Sequence, residues 1–182
     1  MYAIYVLGLM LGIAMYLVSG SEDKQAEISE GNIVSYATQI LAYHDYADEY
    51  CRLPANCNAA AEITSANVTS VMPSVMAGAT SYNDGRFRSY TNGSGLIVTI
   101  SMDHNFYSAS NVVTDHGTAK MINERSQISS KLMQISGASR VSGPYDRASQ
   151  TVTGYDGTVV SVPNTLAGMS FRDDVPMVVD SD

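Results

Sequence analysis

The sequence predicts an α+β protein: an N-terminal transmembrane helix continuing into, or hinged to, a long amphipathic helix packed on a small antiparallel β-sheet. Three observations lead there. The first 21 residues, Met1 to Ser21, carry no charged side chain, and the run from Tyr2 to Val18 is almost wholly apolar. A stretch of helical apolar period follows. Beyond it the apolar residues recur mainly in short strand-like runs that arrive as hairpins, with one further helical stretch between two groups of them.

At about 1.5 Å of rise per residue, the apolar run reaches roughly 26 Å as a helix, near the hydrocarbon thickness of a bilayer. Only a helix satisfies the backbone of such a segment in lipid. Tyr2, Tyr5 and Tyr16 stand near its ends, where amphipathic rings suit the headgroup level. A cleavable secretory signal is the first rival reading. Ser19 and Ser21 supply small residues at a suitable offset, but no Lys or Arg precedes Lys24 to form the basic n-region. A buried helix is the second, and a chain of 182 residues has little room to enclose a segment apolar on every face. The expected organisation is therefore an anchor over residues 1–21 and an α+β domain over residues 22–182. With no N-terminal domain to translocate and only Lys24 near the apolar run, Met1 is expected inside. The protein is then a single-pass component of the inner membrane with its C-terminal domain in the periplasm. Gly8 and Gly12 form a Gly-x-x-x-Gly, whose small residues let two helices approach closely in lipid, so the anchor is a candidate for self-association or for packing on another transmembrane helix.

Cys51 and Cys57 enclose a short Arg-Leu-Pro-Ala-Asn loop, the kind of pair that an oxidising compartment joins. A disulfide closing so short a loop would add about 2 to 2.5 kcal/mol on a chain-entropy estimate. Two free thiols are the alternative; two sulfurs with no nearby His complete no zinc sphere.

The domain beyond the anchor is the size of one ordinary domain. A formal charge of −8 with no Trp argues against nucleic-acid binding, which needs clustered Lys and Arg. Asn67-Val-Thr and Asn92-Gly-Ser match the glycosylation acceptor triplet, a pattern that arises often by chance in a chain rich in Ser, Thr and Asn.

From Glu22 to about Cys51 the chain reads as one long helix. Ile33, Ala37, Ile40, His44 and Ala47 keep its period, and Tyr36, Tyr43, Tyr46 and Tyr50 broaden the stripe, which is expected to pack onto a sheet. Leu53-Pro54 ends it, because the residue before proline disfavours helical backbone. Thr64 or Ser65 is placed to cap a short helix running to Val71, stopped by Met72-Pro73. Gly78 to Asp84 reads as loop. Arg86 to Tyr90 and Leu96 to Met102 read as strands of a hairpin turned at Asn92-Gly93. Asp103 to Asp115 is polar and irregular. Thr118 to Ile135 returns to helical period, with Met121, Ile128, Leu132 and Ile135 on one face and Gly137 placed as a C-terminal cap. The rest is strand and turn: about Gly143 to Thr153, a turn at Gly154 to Gly157, Thr158 to Pro163, and Val175 to Val179.

The residues that carry chemistry are sparse. His44, His104 and His116 share no metal-ligand spacing, and the adjacent Asp103-His104 and Asp115-His116 pairs point apart on an extended chain. There is no Gly-x-Ser-x-Gly elbow, no phosphate-binding Gly-rich loop with its Lys, and no His-Glu-x-x-His. Ser126-x-x-Ser129 lacks the Lys of the Ser-x-x-Lys hydrolases. Ser130-Lys131 is a Ser/Lys pair in sequence alone, which is not catalytic geometry. No catalytic, cofactor or metal residue is therefore assigned, and the chain is not expected to be an enzyme.

The order of a short anchor, a Tyr-rich helix, a small β-rich domain and a Gly/Pro-punctuated tail resembles the PilM family of type IVb thin-pilus systems. The segments that carry the resemblance are Asn32 to Tyr50, Ile63 to Pro73, and the tail from Val141-Ser-Gly-Pro through Gly157-Thr-Val-Val-Ser-Val-Pro163 to Val175-Pro-Met-Val-Val. The resemblance implies a non-enzymatic inner-membrane component of a type IV pilus assembly apparatus, a basal-body scaffold that binds other pilus assembly proteins and needs no cofactor. This chain differs in being somewhat longer and in holding the Cys51/Cys57 pair. Two alternatives stand beside it. A type IV minor pilin also runs an apolar helix into an α+β head, but its basic leader and early Glu have no counterpart before Glu22. A membrane-tethered cell-wall hydrolase would need a catalytic constellation assembled from distant residues.

Overall fold

The computed structural model describes residues 32–102, 118–136 and 140–181. The chain divides into two units, Met1–Ser35 and Tyr36–Asp182, and the second holds the fold described below apart from the first four residues of its leading helix. Its elements are a helix α1 over residues 32–52, β1 (Ala60–Ile63), α2 (Ser65–Val71), α3 (Ser74–Ala77), α4 (Thr80–Asn83), β2 (Phe87–Asn92) and β3 (Leu96–Ser101). After these come α5 (Thr118–Ser136), β4 (Val141–Asp146), β5 (Thr151–Thr153), β6 (Val159–Ser161), β7 (Thr165–Leu166), β8 (Met169–Ser170) and β9 (Pro176–Ser181).

Seven strands form one antiparallel sheet in the order β1-β2-β3-β9-β4-β5-β6, and β7 pairs with β8 separately. The β2–β3 hairpin turns through Gly93 and Gly95, both at positive φ, with the Asn92 side chain accepting from Ser94 N at 2.7 Å and Leu96 N at 3.1 Å. Strand β9 enters between the hairpin and β4, its register set by Val98 opposite Val179 and Val141 opposite Val179 on the far side.

The two faces of the sheet differ in chemistry. One face presents Tyr90, Val98, Ile100, Tyr145, Met177 and Val179 to a wholly apolar core, closed by Val152, Val162, Leu166, Phe171 and Val175 from the C-terminal strands and turns. The other face presents Phe87, Ser89, Thr99 and Ser101, and α1 lies against it through Tyr36, Tyr43 and His44. Helix α5 packs on β4 and β9, with Leu132 and Ile128 buried and Ser142 Oγ donating to Ser136 Oγ at 2.8 Å.

Of the expected α1 stripe, Ala37, Ile40, Tyr43, His44 and Ala47 are buried, while Ile33, Tyr36, Tyr46 and Tyr50 are half-buried. Thr64 caps α2 by accepting from Asn67 N at 3.3 Å. Three differences concern short elements. The Gly78 to Asp84 region is not loop throughout but contains α4, which buries Tyr82. Strand β1 arises in Ala60–Ile63, where no alternation marks it. The expected single strand from Gly143 to Thr153 is two, because Asp146 turns its side chain onto the N–H groups of Ala148 and Ser149 and Gln150 adopts φ 57°. In α5 the predicted face is incomplete: Ile135 is exposed.

Two larger expectations are corrected. A transmembrane helix was expected as part of the fold, and with it a single-pass inner-membrane location and a periplasmic C-terminal domain. Among the described residues, however, no helix is long and apolar enough to cross a membrane. Helix α1, the first described helix, carries Asp45, Asp48, Glu49 and Arg52 and seats its buried stripe on the sheet. The sheet is also larger than the small one expected, because β9, β1 and the β5–β6 hairpin extend it to seven strands. The run Met1 to Ser21, with Gly8 and Gly12, lies outside the described residues, as do Glu22 to Gly31, Asp103 to Asp115, His104, His116 and Gly137.

Candidate binding cleft and the polar seam beneath α1

Two places combine polar side chains with defined geometry. The first is the seam between α1 and the sheet. His44 Nδ1 lies 2.8 Å from Thr99 Oγ1, which lies 2.7 Å from Ser89 Oγ, and all three residues are fully buried. Sequence put His44 on the inward stripe of α1, and the β2–β3 register sets Ser89 beside Thr99 beneath it. Burial pushes the His44 imidazole down to about 3, with the nearby Arg140 cation adding to the effect, so the ring is neutral at ordinary pH. The Thr99 hydroxyl can serve either tautomer, accepting from a protonated Nδ1 or donating to a bare one, and Nε2 has no hydrogen-bond partner among the described residues. Tyr43 is buried beside it, with its hydroxyl pushed up mainly by loss of solvent, and its ring stacks on Tyr82 at 6.2 Å and leans on Phe87 at 5.7 Å. At the rim, Arg140 pairs with Asp45 across from β4, although partial burial still holds the Asp45 carboxyl above the usual range.

A Ser–His pair in sequence-distant elements invites comparison with nucleophilic catalysis, which needs a base that reaches solvent and substrate. Here His44 and Ser89 are each 0 % exposed, so no substrate reaches the imidazole. The seam orders α1 on the sheet.

The second place is a cleft of about 290 Å³ at the end of the sheet, lined among others by Tyr50, Cys57, Ala61, Ile63, Asn67 and Thr91. It is built from local rules. Cys51, in the last turn of α1, is joined to Cys57 in a disulfide, folding the segment from Leu53 to Asn56 back on the helix. Leu53 N donates to Tyr50 O at 3.2 Å and Asn56 Nδ2 to the same oxygen at 3.0 Å, satisfying a terminal helix carbonyl. Ala55 and Cys57 sit at φ 73° and 55°, left-handed conformations held by the closed loop. From the other side, Asn67 of α2 donates to the Tyr50 hydroxyl. The floor is β1, where Ala61 pairs with Thr91 and Ile63 with Ser89. On the opposite face of β1, Glu62 approaches Arg88 at 3.7 Å.

The remaining residues singled out in the sequence are placed as follows. A smaller cavity of about 260 Å³ beside α5 is lined by Ser126, Ser129, Ser130, Met133, Pro144 and Asp174. Ser130 and Lys131 do not form a catalytic pair there, since Lys131 Nζ is engaged with Gln134 Oε1 at 3.3 Å on the helix surface. No group of three or more His, Cys, Asp or Glu side chains is arranged to hold a metal ion among the described residues. The sequence marks only one wall of the cleft, through the Cys51/Cys57 spacing, because the approach of Tyr50, Asn67 and β1 is a tertiary fact. Compared with known families, curated proteins and solved structures, the chain matches no family model, no curated protein and no solved structure.

Proposed function

We propose that this chain is a non-enzymatic component of a type IV pilus assembly apparatus, acting as a scaffold that holds other assembly proteins by surface contact. Among the described residues His44 is sealed between α1 and the sheet, out of reach of a substrate. What the surface offers instead is a sheet end with a preformed cleft, a feature suited to holding a polypeptide. The word pilus rests on the resemblance to the PilM family carried by Asn32 to Tyr50, Ile63 to Pro73 and the tail from Val141 to Val179.

One observation favours a second reading. A helix laid along one face of an antiparallel sheet is also the layout of a pilin head, so a minor pilin remains the alternative. Crosslinking in cells, affinity purification of the full chain and mass spectrometry separate the two. Recovery of assembly proteins supports the scaffold; recovery of the chain in sheared pili supports the minor pilin. Peptidoglycan cleavage by the purified chain would overturn both.

A further inference from the structure

We propose that the outer edge of β1 and the adjoining cleft accept an extended segment of a partner protein as an added strand, one that alternates an apolar residue facing the cleft with a basic residue facing Glu62. This goes beyond the pilus reading and holds whichever machine the chain serves.

Three observations fix the chemistry of the occupant. The first is the backbone of the edge. Strand β1 ends the strand order, so among the described residues its ladder to β2 is one-sided and its other side presents unshared N–H and C=O groups. Sheet edges are usually blunted by Pro, Lys, a bulge, shortness or charge. Strand β1, Ala60-Ala61-Glu62-Ile63, is short and carries one charge at Glu62, but its exposed Ala60 and Ala61 bring no Pro, Lys or bulge, so a strand that answers Glu62 can pair with it. Such an edge is complementary to another strand.

The second observation is where the cleft lies. Ala61 and Ile63 pair with Thr91 and Ser89, so they share the face on which Ser89 meets Thr99 and α1. A strand added beside β1 would therefore turn alternate side chains into the space between β1, Tyr50 and Cys57. At about 290 Å³ that space falls just below the range of small-molecule pockets, roughly 300–1,000 Å³, and suits one or two apolar side chains. The small side chains of Ala59 and Ala61 leave it open, and the disulfide-closed loop fixes its roof before any partner arrives, which lowers the ordering cost of binding.

The third observation is charge. Glu62 alternates onto the opposite face, where its side chain is 40 % exposed and its carboxylate only loosely engaged by Arg88, a guanidinium that Tyr90 also draws on. A residue directly across an added strand would come within about 4.5–5.5 Å of it at Cβ, so a Lys or Arg there completes the pair. The chain's net charge of −8 likewise favours a basic partner.

The test uses the full chain and two fluorescein-labelled octapeptides, one alternating Val and Lys and one alternating Val and Glu, titrated by anisotropy at low salt. The Val/Lys peptide is expected to bind at least three-fold more tightly than the Val/Glu peptide, and Glu62→Gln is expected to erase that preference. Ala61→Trp, which fills the cleft without altering net charge, is expected to weaken the Val/Lys peptide at least ten-fold; Ala61 is exposed, and an unchanged thermal melt verifies the fold. Hydrogen–deuterium exchange should show protection of residues 60–63 on binding. No binding up to millimolar peptide, or binding that Ala61→Trp leaves unchanged, overturns the proposal. So does a self-association of the chain that Ala61→Trp abolishes, because the occupant would then be a second copy.

Discussion

Replacing His44 by Gln isolates the energetics of the polar seam. In the folded chain the imidazole is held at about 3, against an ordinary value of 6.5, because burial penalises its charged form. The unfolded chain therefore binds a proton at this site through the window between those values while the folded chain does not. Stability attributable to His44 is thus intact above pH 6.5 and falls as pH drops through the window, levelling off near pH 3. Between pH 7 and pH 5 the loss works out at about 2 kcal/mol, and its ceiling over the whole shift, at 1.36 kcal/mol for each pH unit, is about 5 kcal/mol. Asp45 works in the opposite sense, since its raised carboxyl makes the folded state hold a proton that the unfolded state releases, so the raw profile of the wild type mixes both. The difference between wild type and His44→Gln cancels that contribution and those of His104 and His116. Urea unfolding at pH 5, 6, 7 and 8 measures it. The wild type should lose about 2 kcal/mol more than the variant between pH 7 and pH 5; parallel profiles would refute the placement of a neutral, buried His44.

Further outcomes follow from other contacts. Replacing Cys51 and Cys57 by Ser should destabilise the chain by about 2 kcal/mol in urea, with exchange at residues 53–57 rising most, because the loop then no longer constrains the unfolded state. Tyr145→Phe removes a buried hydroxyl that lies 3.0 Å from Val162 O and 2.7 Å from Asn164 Oδ1, and should cost about 1–3 kcal/mol in thermal or urea unfolding. Gly93→Ala sets a Cβ 2.6 Å from Ala59 Cα at φ 76°, so the strand beginning at Ala60 must shift; a loss of more than about 1 kcal/mol is expected, together with faster exchange at residues 59–63.

Much of the architecture was legible where a local rule governs it. The period of α1 marked Ala37, Ile40, His44 and Ala47 as inward, and Asn92-Gly93 marked the hairpin. The short Cys51 to Cys57 spacing pointed to the disulfide that the structure contains. What failed to show was decided by tertiary partners. Strand β1 has no alternation of its own and exists because β2 offers it a ladder. The break between β4 and β5 lacks Gly and Pro, yet Asp146 was a usable signal, since an Asp side chain commonly turns onto the N–H groups that follow it. The insertion of β9 between β3 and β4 joins residues far apart in sequence, and no local pattern encodes it. The apolar period of α1 could be read as running on from a membrane span, whereas its described residues seat it on a sheet. For the cleft, the residue types were unremarkable; its meaning lies in Tyr50, Asn67 and the disulfide meeting at the open side of β1.

A photocrosslinking amino acid placed at position 61 of the full chain in cells tests most directly whether the protein works by holding an assembly partner at this edge. The account predicts that irradiation yields an adduct with a protein of the pilus assembly apparatus, and that Tyr155, exposed on a turn remote in sequence from β1, yields none when replaced in the same way. Adducts confined to pilin subunits of sheared fibres, or equal labelling from both positions, would contradict it.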